Sequence, residues 1–274
     1  MAATFRLMGI LNVTPDSFSD GGRFLLLPDA VAHGEQLVAE GADILDIGGE
    51  STRPGASAVE VDEERARALP VIEELASRGV PALISIDTSK AAVASAALAA
   101  GAGMVNDVTA FRGDPGMAEV VAQADVECCL MHMRGQPRTM QDEPRYEDVV
   151  GEVRVFLEER LEFAVREGVR EERIVLDPGI GFGKSAAHNL ELLRRLDELA
   201  AIGRPLLVGT SRKSFLGRII AAGRGTSVPV TPDERLAGTI ATNVLAFERG
   251  ASVFRVHEVA PVRDSLAVAA ATLA

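Results

Sequence analysis

The sequence predicts a parallel α/β fold, a single (β/α)8 TIM barrel over residues 1–274. Three observations predict it. One unit recurs along the chain: an amphipathic helix, a glycine, then a short apolar run that ends in polar residues. About eight such runs alternate with about eight helices, and 274 residues suit a fold that usually takes about 250. No Pro/Ser-rich linker or low-complexity stretch divides the chain. A doubly wound open sheet is the structural rival.

The elements follow in order. Phe5–Leu11 reads as the first strand. The helix ending at Gly41 leads into the second, Ala42–Ile47; Gly79 precedes the third, Ala82–Asp87; and Gly101 precedes the fourth, Met104–Val108. Val126–Met131 is the fifth. Gly168 precedes the sixth, Arg173–Asp177; Gly203 the seventh, Pro205–Gly209; and Gly250 the eighth, Ser252–His257. Each of these glycines falls where a helix would end in a left-handed residue. Each run is short and aliphatic or β-branched, as a strand buried on both faces requires.

Composition narrows the function. There are 28 basic and 40 acidic residues, a formal charge of −12, which argues against nucleic acid or an anionic membrane as the main partner. With no tryptophan and one tyrosine, the core must be aliphatic. The adjacent Cys128 and Cys129 would point to opposite faces of a strand, so a disulfide between them is not expected and a reducing cytoplasm is. No signal peptide or membrane span is read.

In a barrel of this kind the site forms at the C-terminal ends of the strands. Those ends are polar and Gly-rich: Asn12 to Gly22, Gly48 to Gly55, Asp87 to Lys90, Asn106-Asp107, Met131 to Gly135, Asp177 to Lys184, Gly209 to Ser214 and Arg255 to Glu258. The opposite ends are bland. Only three lysines occur, Lys90, Lys184 and Lys213, and all three follow predicted strands. Lys90 and Lys184 also read as solvated surface at a helix start; Lys213 reads as part of the site.

Val208-Gly209-Thr210-Ser211-Arg212-Lys213-Ser214 joins a strand to a helix and supplies hydroxyls, cations and free N–H groups, an anion site without Walker spacing. Arg255 and His257 alternate on the last strand and face the same way, a pair suited to phosphate oxygens. Asp87, Asp177 and Asn106 can accept from the donor edge of a heterocycle, or the two carboxylates can act as general acid and base. The segments from Thr14 and from Glu50 read as mobile loops over the substrate. No metal cage is visible, although Mg2+ carried by substrate phosphates and touching one protein oxygen fits. No GxGxxG follows strand one, so a dinucleotide is not expected.

These motifs together resemble the dihydropteroate synthases of the pterin-binding barrel family. The carriers are Gly9 to Gly22, Asp46 to Gly55, Ser85 to Thr88, Asn106 to Val108, Met131 to Met133, Asp177 to Lys184, Ser211 to Ser214 and Arg255 to His257, covering nearly the whole chain. The resemblance implies that 4-aminobenzoate displaces pyrophosphate from 6-hydroxymethyl-7,8-dihydropterin diphosphate in folate biosynthesis, with early pyrophosphate departure and Mg2+ assistance. It implies Asp87, Asn106, Asp177 and Lys213 for the pterin, with Met131 among the substrate-binding residues. It implies Asn12, Arg255 and His257 for the diphosphate, with Asn12 also on Mg2+. Phe18, Thr52, Arg53 and Pro54, with Phe182, Lys213 and Ser214 on the far side, would build the aminobenzoate pocket, the target of sulfonamides. Asp87, Lys213, Arg255 and His257 form the expected catalytic set.

The resemblance also implies a homodimer. The helices after strands six and seven carry Phe215, Ile219, Ile220, Val244, Leu245 and Phe247; some could make that contact, with core packing the expected use of most. Rival readings are a corrinoid-linked methyltransferase of the same barrel family, a Schiff-base aldolase using Lys213, and a paralogue that binds pterins without turnover.

Overall fold

The computed structural model describes residues 4–14, 27–51, 58–135, 139–142 and 144–273. Strands and helices alternate: β1 (Arg6–Asn12), α1 (Leu27–Ala39), β2 (Ile44–Gly48), α2 (Val61–Ser77), β3 (Leu83–Asp87), α3 (Ala91–Ala99), β4 (Met104–Asp107), α4 (Met117–Ala124) and β5 (Glu127–Met131). Then come α5 (Val149–Arg166), β6 (Ile174–Asp177), α6 (Ala186–Arg194), α7 (Leu196–Ala200), β7 (Leu207–Val208), α8 (Ser214–Gly223), α9 (Leu236–Glu248), β8 (Val253–Val256) and α10 (Val259–Leu273).

All strand pairs are parallel, in the order β6-β5-β4-β3-β2-β1-β8-β7. A bridge between Leu176 and Leu206, with the Leu176 N–H donating to the Pro205 carbonyl at 2.9 Å, joins β6 to β7 and makes the ring a (β/α)8 barrel. The open-sheet rival is thereby excluded. The six glycines expected after helices, Gly41, Gly79, Gly101, Gly168, Gly203 and Gly250, all have positive φ.

Two expectations are corrected. The described residues contain ten α-helices, not about eight, because α6 and α7 both follow β6, and α8 and α9 both follow β7. The apolar residues assigned to helices after strands six and seven all lie after β7, on α8 and α9. Of these, Phe215 and Phe247 are buried, while Ile219 and Leu245 are exposed.

Strand alternation explains the interior. Met8, Ile44, Leu83, Met104, Cys129, Val175, Leu207 and Val253, one residue from each strand, pack together inside the ring. Burying such a side chain contributes about 1.5–3 kcal/mol, so this layer plugs the barrel. Cys128 points the other way, into the core between strands and helices, and both thiols are free. Two residues further along, five of the eight inward positions are polar, Asp46, Ser85, Asn106, Asp177 and Arg255, with Ile10, Met131 and Gly209 completing the layer. A period of two thus turns an apolar plug into a polar floor.

Candidate active site

That polar floor is one network. Asp46 is fully buried, and its carboxylate accepts from Ser85 Oγ at 2.7 Å, Asn106 Nδ2 at 2.9 Å and Arg255 Nε at 2.6 Å. Arg255 also donates through Nη2 to Asp87 at 2.8 Å. Two edges of the guanidinium are therefore taken by carboxylates, and Nη1 has no partner among the described residues. Burial opposes the Arg255 charge, but Asp46 and Asp87 more than offset this and hold its pKa above the ordinary value. Asp46 went unassigned in the sequence. The signal was there: an acid in the middle of an apolar strand needs a partner. The partner lies 209 residues away and could not be read.

The rim above the floor is continuous. Asn12, Gly48, Asp87 and Asn106 are successive register partners across β1 to β4. Met131 and Asp177 pair likewise across β5 and β6. Burial pushes Asp87 up to about 7, reinforced by the Asp46 carboxylate and opposed by Arg255. Burial also lifts Asp177 to about 6, against the hydrogen bond from the Gly179 N–H and the charge of Lys213. Both carboxylates are nearly enclosed yet reach the mouth, and each can accept from a bound heterocycle.

Lys213 comes from the loop between β7 and α8. Its ammonium lies 4.1 Å from the centre of the Phe182 ring, and burial with Arg255 lowers its pKa to about 8. Ser214 is the first, exposed residue of α8. The preceding Arg212 takes φ +58, a left-handed conformation rare for an arginine, fixed by Arg235 donating to its carbonyl at 2.7 Å and by its ion pair with Glu258. His257 lies one residue past β8, and its Nδ1 is 2.9 Å from Ser211 Oγ. Ser211 thereby fixes the imidazole orientation, a role the sequence did not reveal. Met131 is buried with Val108, Met133 and Met140, against which Phe182 packs.

Asn12, Asp87, Asn106, Asp177, Lys213, Arg255 and His257 are thus brought to one mouth. A cavity of about 130 Å3 opens beside Asp87, lined by Glu50, Glu64, Thr88, Val108 and Met133. Phe18, Thr52, Arg53 and Pro54 lie outside the described residues. Of the other lysines, Lys90 is ion-paired to Glu50 and to the fully buried Glu64, while Lys184 is itself buried.

No three His, Cys, Asp or Glu side chains converge as a metal cage among the described residues. Asn12 offers one amide oxygen. Beside it Gly48 leaves a gap: a Cβ there would sit 3.6 Å from Asn12 Oδ1 and 3.7 Å from Asp87 Oδ2. One neutral amide oxygen, with no side chain between it and Asp87, is a donor set that fits Mg2+ brought in by substrate phosphates, with water completing its shell.

Comparison with known proteins agrees with this geometry. The model of the family described as pterin binding enzyme matches residues 8–257. Dihydropteroate synthase of Escherichia coli strain K12 is 45% identical over 267 residues, 97% of this chain and 91% of the relative. Among solved structures, Xanthomonas albilineans dihydropteroate synthase with 4-aminobenzoic acid is 50% identical with a TM-score of 0.90, covering 99% of this chain and 94% of that one. The same enzyme in complex with 7,8-dihydropteroate gives 46% identity and a TM-score of 0.87, with 100% and 95% covered. Matched across nearly the whole of both chains, the protein belongs to the pterin-binding enzymes, as a transferase of the dihydropteroate synthase family.

Proposed function

We propose that the chain condenses 6-hydroxymethyl-7,8-dihydropterin diphosphate with 4-aminobenzoate to give 7,8-dihydropteroate and pyrophosphate. The observation that carries this reading is the convergence of Asp87, Asn106, Asp177 and Lys213 at one mouth over the Asp46–Arg255 floor. Three oxygen acceptors beside an ammonium complement a pterin, which has an amino group and ring N–H groups along one edge and acceptor atoms beside them. The same contacts hold the ring still while its exocyclic methylene reacts.

In the reaction the anilinic nitrogen bonds to that methylene, the C–O bond to the diphosphate breaks, and pyrophosphate leaves with the bonding pair. The nitrogen then loses a proton. An anilinic nitrogen is a weak nucleophile, which favours early departure of the leaving group. The positive charge left on the pterin falls beside Asp87, which is ionised above about 7 and stabilises it electrostatically. The Nη1 group of Arg255, His257 and Asn12 meet the departing diphosphate. Mg2+, where bound at Asn12, would supply further positive charge to those oxygens. Phe182 and Ser214, with Phe18, Thr52, Arg53 and Pro54, take the aminobenzoate.

The test is pyrophosphate release with and without 4-aminobenzoate and Mg2+. Release that needs both supports the reading; pterin binding without release overturns it in favour of a non-catalytic protein. Asp87→Asn, which keeps the shape and one acceptor oxygen but removes the charge, should spare pterin binding in calorimetry to within about tenfold. Its turnover should fall about 100-fold or more, and unchanged turnover would remove Asp87 from the chemistry.

We also propose a homodimer through the outer face of α8 to α10. Ile219, Leu245, Val268 and Leu273 are exposed there, and a groove of about 570 Å3 runs between α9 and α10. Sedimentation showing a monomer at micromolar concentration would overturn this. The buried free thiols suit a reducing compartment, and we place the enzyme in the cytoplasm.

A further inference from the structure

The loop from Asp177 to Lys184 contains glycines at 179, 181 and 183, all with positive φ. Such a loop has many conformations open to it, yet it carries two of the wall residues, Asp177 and Phe182. Its backbone is tied down on every side. The Gly179 N–H donates to Asp177 Oδ1 at 2.6 Å, Gly181 N–H to Asn189 Oδ1 at 2.7 Å, and Tyr146 donates to the Gly183 carbonyl at 2.8 Å. Two of its carbonyls, those of Gly179 and Phe182, turn inward onto one group, the ammonium of Lys184.

That ammonium is 2.8 Å from His132 Nδ1, 3.0 Å from the Gly179 carbonyl, 3.0 Å from the Phe182 carbonyl and 3.4 Å from the His132 carbonyl. Lys184 is only 2% exposed. Burial, with the Lys184 charge second, holds His132 down to about 2, so its imidazole is neutral and Nδ1 accepts. Burial lowers Lys184 itself to about 7, against the pull of Asp177, so the ammonium is the dominant form below that pH, and above it the amine still donates to the same carbonyls. A lysine normally keeps its ammonium in water. Here the group sits among oxygen and nitrogen acceptors drawn from two loops, as a bound cation would. The loop closes so tightly that a Cβ at Gly179 would run into the His132 carbonyl.

We infer that Lys184 is a positioning residue: its ammonium is an internal cation around which the loop between β6 and α6 is wound, fixing Asp177 and Phe182 in the substrate wall. It touches no substrate and acts through those two residues. The Phe182 carbonyl is held by Lys184 while the ring of the same residue lies over Lys213, so the anchor is coupled directly to the mouth. Without the ammonium, the Phe182 carbonyl loses its donor, the Gly179 carbonyl keeps only the Phe182 N–H, and the three glycines let the loop relax elsewhere. The consequence for pterin affinity rests on the reading of the site given above; the consequence for loop order does not.

The experiment uses the full chain with Lys184→Met, which keeps length and removes the donors, and Lys184→Gln, which restores one polar group. Hydrogen–deuterium exchange in peptides spanning 177–185 should quicken about tenfold or more in Lys184→Met, with α10 unchanged and Lys184→Gln between the two. The dissociation constant for 6-hydroxymethylpterin should rise about tenfold or more, while that for inorganic pyrophosphate, assigned to Asn12, Arg255 and His257 rather than to this loop, stays within about twofold of wild type. Unchanged exchange in the loop would overturn the inference, as would equal weakening of both ligands, which signals general loss of fold. Should Lys184→Met not fold, the same two readings on Lys184→Gln decide. A wild-type chain that binds no pterin would sink the site reading, while loop exchange would still decide the anchor.

Discussion

Asp177 carries a burden that its neutral analogue would not. Burial lifts it to about 6 in the folded chain, from an ordinary 3.8. Between those values the folded state binds the extra proton, so stability falls as pH rises through 6 and is fully kept below about 4. Asp177→Asn removes the penalty and retains an acceptor for the Gly179 N–H. It should melt higher than wild type at pH 8, with an upper bound of about 3 kcal/mol, and lose the advantage by pH 4. Thermal denaturation at both pH values checks this, and a lower melting point at pH 8 refutes it. Activity should fall in the same variant, since a site residue is rarely optimal for stability.

Gly48 is the converse case. A Cβ there makes ordinary van der Waals contact with Asn12 and Asp87. Gly48→Ala should therefore keep stability within about 1 kcal/mol of wild type while filling the gap between two site residues. Calorimetric affinity for pterin diphosphate should drop about tenfold; undiminished affinity would show that the gap is unused. At this scale the sequence named Asp87, Asp177, Lys213 and Arg255 because polar residues ended apolar runs. It gave Asp46 no role, and it placed Ser211 and Lys184 in site loops without the contacts that define what they do. Their importance lies in partners up to 209 residues away, which no local pattern encodes.

Among the elements, the strands were the most legible. A glycine after a helix and an aliphatic run after that glycine placed six of them, and apolar runs alone placed β1 and β5, all within a residue or two. Asn12 proves to be the last residue of β1, and Arg173 belongs to a short 3-10 turn before β6. The α6–α7 doubling was missed because the break falls at Arg195, φ −112, with no glycine or proline to mark it. The break between α8 and α9 does carry such marks, Gly225, Pro229 and Pro232, in a segment read as one helix. β7 is the weak member: two residues long, it meets β6 through the single Leu176–Leu206 bridge, whereas β1 and β2 share five paired residues. Backbone amides of Leu207 and Val208 should exchange faster than those of Gly9 to Leu11. Equal protection would show that side-chain packing, not the ladder, seals the ring.

At the scale of the whole molecule, closure into a ring was predicted by counting, but only the register explains why the site residues meet. On β1, β2 and β3 the inward positions advance in steps of two to Asn12, Gly48 and Asp87, while on β4 and β6 a single step from the plug already brings Asn106 and Asp177 to the same level. The lower ends of the same strands meet around apolar side chains.

The chain's sparing use of lysine has a practical consequence for chemical labelling. Lys184 is enclosed and Lys90 is clamped by two carboxylates, which leaves Lys213 as the one primary amine among the lysines that borders the open mouth. With its pKa lowered to about 8, a mild acylating reagent near that pH should tag it ahead of the other two. Peptide mass spectrometry should find one dominant adduct on a lysine, suppressed when a pterin occupies the mouth. Earlier modification of Lys90 or Lys184 would contradict this. A single covalent handle inside the barrel would then report occupancy directly, with no engineered cysteine and no turnover required.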